Sequence, residues 1–178
     1  MTLAAPGPDW IVANAAGCGA LLREYDHLLA DDGDARAIAR RSRDALELLS
    51  EIGLPPPARR LDCRLAIHDP CHLAHGQGVR AQVRRLLADV PGVRLVELEE
   101  SDTCCGSAGT YNLTEPAMAE RLRERKLDRI AASGADVIAA ANPGCILQMR
   151  AGAILRGLAV RIEHPLDLLA DAHGVRLS

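Results

Sequence analysis

Cys104 and Cys105 are neighbours in the stretch Asp102-Thr-Cys-Cys-Gly-Ser-Ala-Gly109. A disulfide between adjacent cysteines is strained, because its small ring forces the peptide out of trans geometry. The pair therefore reads as two separate thiols that leave the backbone in different directions and can grip two points of one metal cluster. Gly106 and Gly109 allow the backbone to come close to a bulky inorganic group. Cys71 and Cys145 stand in similar turn-forming contexts, Asp69-Pro-Cys-His-Leu73 and Asn142-Pro-Gly-Cys145. Cys145 lies at a helix start, where free N–H groups and the helix dipole favour a thiolate. Thiolates with no matching histidine pattern favour an iron–sulfur cluster, with zinc second.

The remaining candidates have plainer readings. Cys63 lies in an apolar run and reads as a core or surface thiol. His68 and His72 flank Cys71 and read as hydrogen-bonded structural histidines. His27, His75, His164 and His173 show no ligand spacing, and Gly76-Gln-Gly78 reads as a loop leading into a helix. Cys18 has two open readings: a ligand of an incomplete second site, or a buried small residue.

The elements that must position these thiols alternate along the chain. Strands are predicted at 10–14, 61–68, 93–98, 136–141 and 160–162, from short apolar runs bounded by Gly or Pro. Helices are predicted at 20–29, 35–52, through Val79, Val83, Leu86, Leu87 and Val90, and at 114–132, 146–156 and 166–172. Asp31-Asp-Gly-Asp34 supplies N-caps, Thr114 is placed to cap a helix with Pro116 in its first turn, and Met118, Leu122, Leu127 and Ile130 mark its buried side. Strict alternation argues for an α/β fold, a parallel sheet with helices on both faces. Cys71, Cys104, Cys105 and Cys145 each fall just past a strand's carboxyl end, the sheet edge where ligand sites form. Asn14-Ala-Ala-Gly-Cys18 and Asn142-Pro-Gly-Cys145 both follow an apolar strand and open a helix, which reads as an internal repeat. Residues 1–57 would then be the remnant of a first repeat with a stiff Pro55-Pro-Pro57 linker, and 58–178 a complete second one.

Composition narrows the class. The 178 residues are 48% hydrophobic but 2% aromatic, so the core is aliphatic. A net charge of −3 argues against general nucleic-acid binding. The uncharged runs at 10–22 and 137–149 are too short to span a membrane. The start, Met1 to Trp10, has no basic end and no apolar stretch of a secretory signal. A cytoplasmic location follows, where six cysteines stay reduced rather than forming a disulfide framework.

In order, His-Asp-Pro-Cys-His (68–72), Cys-Cys-Gly-Ser-Ala-Gly (104–109), Tyr-Asn-Leu (111–113) and Asn-Pro-Gly-Cys (142–145) resemble the cysteine-rich "CCG" domain. That domain occurs in the heterodisulfide reductases, in lactate-utilisation iron–sulfur proteins and in the iron–sulfur subunit of glycolate oxidase. Asn-Pro-Gly-Cys-Ile-Leu-Gln148 and Arg-Ile-Glu-His-Pro-Leu-Asp-Leu-Leu169 look most like the glycolate oxidase subunit. The resemblance implies a Rossmann-like or flavodoxin-like fold and a 4Fe–4S type cluster. Its ligands would be Cys71, Cys104, Cys105 and Cys145, with Cys18 belonging to the partial first repeat. Gly106, Gly109 and Gly144 would shape the backbone around the cluster.

The family's fuller form closes with Cys-x-x-Cys, whereas Gln148 holds the second position here. The glycolate oxidase subunit also begins with a ferredoxin-like domain that is missing from this chain, so the sequence reads as a C-terminal fragment or a separately encoded half. The implied role is electron transfer in a flavin-linked glycolate oxidase or dehydrogenase. An FAD-containing partner would oxidise glycolate to glyoxylate, with peripheral association to the inner membrane through partners. The sequence holds no flavin fingerprint or phosphate loop, so catalysis by this chain alone is not expected. Two other classes stay open: a zinc-stapled, non-redox interaction module, and a thiol–disulfide reductase resembling the heterodisulfide reductases.

Overall fold

The structure is a computed structural model and describes residues 8–175. Residues 1–7 of the start read for a secretory signal, Met1 to Trp10, lie outside the described residues. The main sheet is parallel and has four strands: β3 (Cys63–His68), β4 (Val93–Leu95), β5 (Val137–Ala140) and β6 (Arg161–Glu163), in the order β4-β3-β5-β6. A second parallel sheet pairs β1 (Ile11–Ala13) with β2 (Ser42–Asp44).

The main sheet buries both faces, because side chains alternate along each strand. Leu65 and Ile67 of β3 join Val137 and Ala139 of β5 on one face. There they meet α5 (Cys71–Ala74), α6 (Ala81–Ala88) and α10 (Pro165–Ala172) through Leu73, Leu87 and Leu168. α1 (Ala16–Arg23) and α4 (Ala45–Ile52) add Ala16 and Leu46 to the same cluster. Ala66, Ile138, Ala140 and Ile162 face the other way. Leu127 and Ile130 of α8 (Pro116–Ser133) cover them, with Met149 and Ala153 of α9 (Pro143–Leu155). Helices on both faces of a parallel sheet make the expected Rossmann-like α/β fold.

The strand order has a consequence for chemistry. From β3 the chain crosses to β4 at one edge, then returns over the sheet to β5 on the other side of β3. The direction of winding thus reverses between β3 and β5, and a crevice opens above their carboxyl ends. The loops after β3, β4 and β5 all empty into that crevice.

Local chemistry explains most boundaries. Asp32 caps α3 (Gly33–Arg41) through the Asp34 and Ala35 N–H groups. Gly134, in the left-handed conformation, ends α8, and Pro116 occupies its first turn.

Five expectations are corrected. The helix expected at 35–52 is broken by β2, whose Ser42 hydroxyl turns back to the Ile38 carbonyl and whose Asp44 carboxylate caps Leu46. The signal was present: between Ile38 and Ala45 no large apolar residue falls on the helical stripe. Thr114 does not cap α8; it ends the separate short helix α7 (Tyr111–Thr114), its hydroxyl donating to the Tyr111 carbonyl. Met118 is exposed, and Ala119 and Lys126 are buried on α8 instead. Finally, α1 and α9 begin at Ala16 and Pro143, earlier than expected, so that Cys18 and Cys145 sit inside their first turns, and the helix expected at 20–29 breaks at Glu24 into α1 and the short α2 (Tyr25–Leu28).

Candidate metal centre

Three loops build the site. After β3, Asp69-Pro70 leads into α5 with Cys71 as its first residue. After β4, residues 96–110 carry Cys104 and Cys105. After β5, Asn142 opens α9 and Cys145 follows in its first turn. The four thiols line one cavity of about 30 Å³ together with His68, His72, Asn142 and Gly109. All four are free, and Cys105 and Cys145 are buried.

The Cys-Cys loop is held in an unusual backbone. Glu100 (φ 57°) and Ala108 (φ 33°) are left-handed without being glycine, and Gly106 (φ 88°) and Gly109 (φ 64°) share that conformation. Non-glycine residues persist there only when their surroundings over-determine them. Gly106 has a further reason to be glycine: a Cβ would overlap the Ala119 carbonyl oxygen of α8. Gly144 packs the start of α9 onto the same loop, since its Cβ would lie 2.8 Å from the Ser107 hydroxyl. The close approach of these two glycines is to protein backbone and side chain.

Asp69 ties the first two loops together. Its carboxylate is buried and accepts from both Arg84 guanidinium nitrogens (2.8 and 2.7 Å), from Arg80 Nε (3.0 Å) and from the Ser101 hydroxyl (2.9 Å). Its N–H donates to the Ser101 carbonyl at 2.9 Å. Burial alone would raise its pKa, but the Arg84 and Ser101 hydrogen bonds outweigh that and hold the carboxyl below its ordinary value. The motif Asp-Pro-Cys therefore fixes Cys71 through the residue two before it.

The sulfurs titrate against one another. The adjacent Cys105 thiol, with burial, raises the pKa of Cys104. Cys104 beside it lowers that of Cys105, but Cys145 and burial leave the Cys105 thiol raised. At Cys145 the neighbouring Cys105 and the Asn142 amide outweigh burial and lower the pKa. Asn142 Nδ2 donates to Cys145 Sγ at 3.4 Å, and the Gly106 N–H donates to Cys104 Sγ at 3.3 Å. Such N–H donors stabilise charge on sulfur.

His68 departs from its expected role. The ring is buried, and neither nitrogen has a hydrogen-bond partner; the nearby Ser101 carbonyl accepts from the Asp69 N–H. Burial, reinforced by the charge of Lys126, lowers its pKa to about 4, so the imidazole is neutral and free to act as a ligand. Its ligand atom lies within 4.8 Å of those of Cys105 and Cys145. The signal for it was positional: His68 ends β3, at the same sheet edge as the cysteines. Cys71 Sγ lies 3.6 Å from His72 Nδ1.

The other candidates fall elsewhere. Cys63, the first residue of β3, is buried in the core, one of the two places its apolar setting suggested. Cys18 is exposed on α1 and lines no part of this cavity, so it is not the buried small residue that one reading made it. His164, without ligand spacing, links two regions: Nδ1 accepts from the Leu166 N–H as the cap of α10, and Nε2 donates to the Asn14 carbonyl at 2.8 Å. Larger grooves of about 350 and 510 Å³, lined by Leu49, Leu54, Pro55 and Leu169, contain no thiol.

Residues 65–150 match the model of the CCG cysteine-rich domain. The chain is 38% identical to the "Probable glycolate oxidase iron-sulfur subunit" of Bacillus subtilis (strain 168), over 96% of this chain and 40% of the relative. It is 38% identical to the "Glycolate oxidase iron-sulfur subunit" of Escherichia coli (strain K12), over 78% of this chain and 35% of the relative. "Lactate utilization protein A" of Bacillus subtilis (strain 168) is 25% identical over 90% of this chain and 70% of its own length. The chain thus spans well under half the length of the two glycolate oxidase subunits. No helix among the described residues is long and apolar enough to cross a membrane.

Proposed function

We propose that this chain, whose residues 65–150 match the CCG cysteine-rich domain, is the iron–sulfur electron-transfer subunit, or part of one, of a flavin-linked glycolate oxidase or dehydrogenase. The observation that carries this reading is the convergence of Cys71, Cys104, Cys105 and Cys145 on one cavity from three separate strand-end loops. The donor set suits such a group: four thiols, two of them already receiving N–H bonds, and an imidazole whose nitrogens lack good partners. Cys71, Cys104, Cys105 and Cys145 would hold a cluster of the 4Fe–4S type, with His68 alongside. When bound, that group supplies one-electron transfer between the flavoprotein and an acceptor.

The chain's own residues position and insulate. Asp69 sets Cys71 relative to the Cys-Cys loop, and Gly106 seats that loop on α8. Asn142 and the Gly106 N–H stabilise charge on two sulfurs. Burial of Cys105 and Cys145 keeps water away from them. Glycolate comes from the relatives' names and the family resemblance, the FAD-containing partner from the resemblance, and a cytoplasmic setting from the reading of the six cysteines as reduced thiols. Residues 1–57 as the remnant of a first repeat, with 58–178 as the second, belong to the same proposal. Its support is that β1–α1 repeats the β5–α9 junction in a sheet of its own.

His68, Cys105 and Cys145, with ligand atoms within 4.8 Å of one another, would also suit zinc, which favours such mixed nitrogen–sulfur sets. Anaerobic purification followed by iron, zinc and sulfide analysis and a visible spectrum separates the two. Iron and acid-labile sulfide in near-equal amounts, bleached by a reductant, support the electron-transfer role; stoichiometric zinc without sulfide overturns it.

A further inference from the structure

Lys126 is the single lysine among the chain's 21 lysine and arginine residues, and it is the buried one. It lies on α8, only 1% exposed, in the helix stripe that also carries Ala119, Leu127 and Ile130. A buried ammonium is costly unless another charge balances it. Yet among the described residues Lys126 joins no ion pair with a carboxylate. Its Nζ donates to the backbone carbonyls of Glu100 and Ser101, the latter at 3.4 Å.

Those carbonyls do not by themselves explain a charge. The turn at Glu100 is already gripped from α8: the Glu100 carboxylate accepts from Arg125 (2.8 and 2.9 Å) and Arg129 (3.0 Å). Besides carboxylates, the thiol site lies within reach of the Lys126 charge: the Ser101 carbonyl it holds also binds the Asp69 N–H before Cys71, and α8 touches the Cys-Cys loop where Gly106 meets Ala119. Cys105 stands first among the groups that favour the ammonium, ahead of Glu100, Asp102 and Asp69, and the same charge helps keep His68 neutral. The thiols become thiolates when they take a metal, so binding builds negative charge beside this buried cation.

We propose that Lys126 is the resident counter-charge of the thiolate centre, a positioning residue that raises the reduction potential of the group held there. Lysine suits the task better than arginine, because its charge is compact and fits a closed, apolar stripe. A fixed positive charge favours the state that has gained an electron. This inference rests on the iron–sulfur reading above.

The test uses the full chain, loaded with iron anaerobically and titrated spectroelectrochemically. Lys126→Gln and Lys126→Met should keep the visible spectrum of the oxidised protein while their reduction midpoints move to lower potential. Arg125→Gln removes an exposed cation from the same turn and should leave the midpoint where the wild type has it. Folded neutral variants that lose iron while Arg125→Gln keeps it also support the counter-charge. Neutral variants with a wild-type or higher midpoint overturn the proposal, as does an equal shift in Arg125→Gln. If neither neutral variant folds by circular dichroism, Lys126 is a folding residue and the proposal fails. A wild-type chain that binds no iron sinks the iron–sulfur reading, and this inference with it. One that binds iron, with variants of unchanged potential, sinks the inference alone.

Discussion

Two strand–helix junctions in this molecule resemble each other in sequence and differ in what they build. Asn14-Ala-Ala-Gly-Cys18 joins β1 to α1, and Asn142-Pro-Gly-Cys145 joins β5 to α9; each places a cysteine in the first turn of a helix. At the second, the thiol is buried against Cys105 and receives the Asn142 side chain. At the first, Cys18 is exposed, and Asn14 gives its carbonyl to His164. The surroundings make the difference. β5 is flanked by β3 and β6 at the reversal of the winding, so two other loops deliver thiols beside it. β1 pairs only with β2, and no cysteine follows β2, which runs directly into α4. A Gly-Cys helix start offers one thiol; a centre needs the topology that gathers several.

The sharpest way to break this comparison is to exchange the cysteines one at a time. Cys145→Ser should leave bound iron near zero, because a hydroxyl is a poor iron ligand, whereas Cys18→Ser should keep the wild-type content. Equal iron loss in the two variants, measured per folded chain, would show that both junctions feed one centre.

A glycine from each region gives the next contrast. Gly106→Ala forces a side chain onto the Ala119 carbonyl at a left-handed backbone position, and should cost about 3 kcal/mol or more. Gly17 in α1 has nothing within 4 Å of an added Cβ, so Gly17→Ala should stabilise by up to about 1 kcal/mol. Urea melts of the two variants settle it, and a harmless Gly106→Ala would mean that the Cys-Cys loop is not seated on α8 as described.

The smallest effect concerns the strand that partners β1. Asp44 of β2 is buried, one carboxylate oxygen lacks a partner, and burial raises its pKa to about 6 despite the bonds that oppose it. Between its ordinary value of 3.8 and about 6 the folded state holds a proton that the unfolded state has lost. Stability from this group is therefore full below pH 3.8 and is lost as pH rises to about 6. Asp44→Asn, which keeps the cap on Leu46, should remove that loss, on the order of 3 kcal/mol at pH 7 and less where solvent reaches the carboxyl. Thermal melts at pH 4 and pH 7 report the difference between variant and wild type; parallel behaviour would mean that the carboxyl is not desolvated.

Much was fixed by local chemistry and so could be read directly. The alternation of apolar runs with helical stripes established a parallel α/β sheet, and Pro70 and Pro143 marked where Cys71 and Cys145 leave their strands. The motif residues themselves announced a thiolate site, because residue type and spacing along one chain suffice for that. The break at Ser42–Asp44 was harder to see, since a three-residue strand of polar side chains exists only because β1 lies beside it. Position at a strand end was the one hint for His68, and the sequence held none for Lys126. One ends an ordinary strand and the other stands among the charges of a long helix. Each acquires its meaning from burial beside Cys105, and burial depends on which elements the crossover from β4 to β5 brings together. The four thiols could be expected at one sheet edge from their strand-end positions, but strand order is set by long-range packing, so which buried imidazole and ammonium join them was decided by the tertiary structure alone.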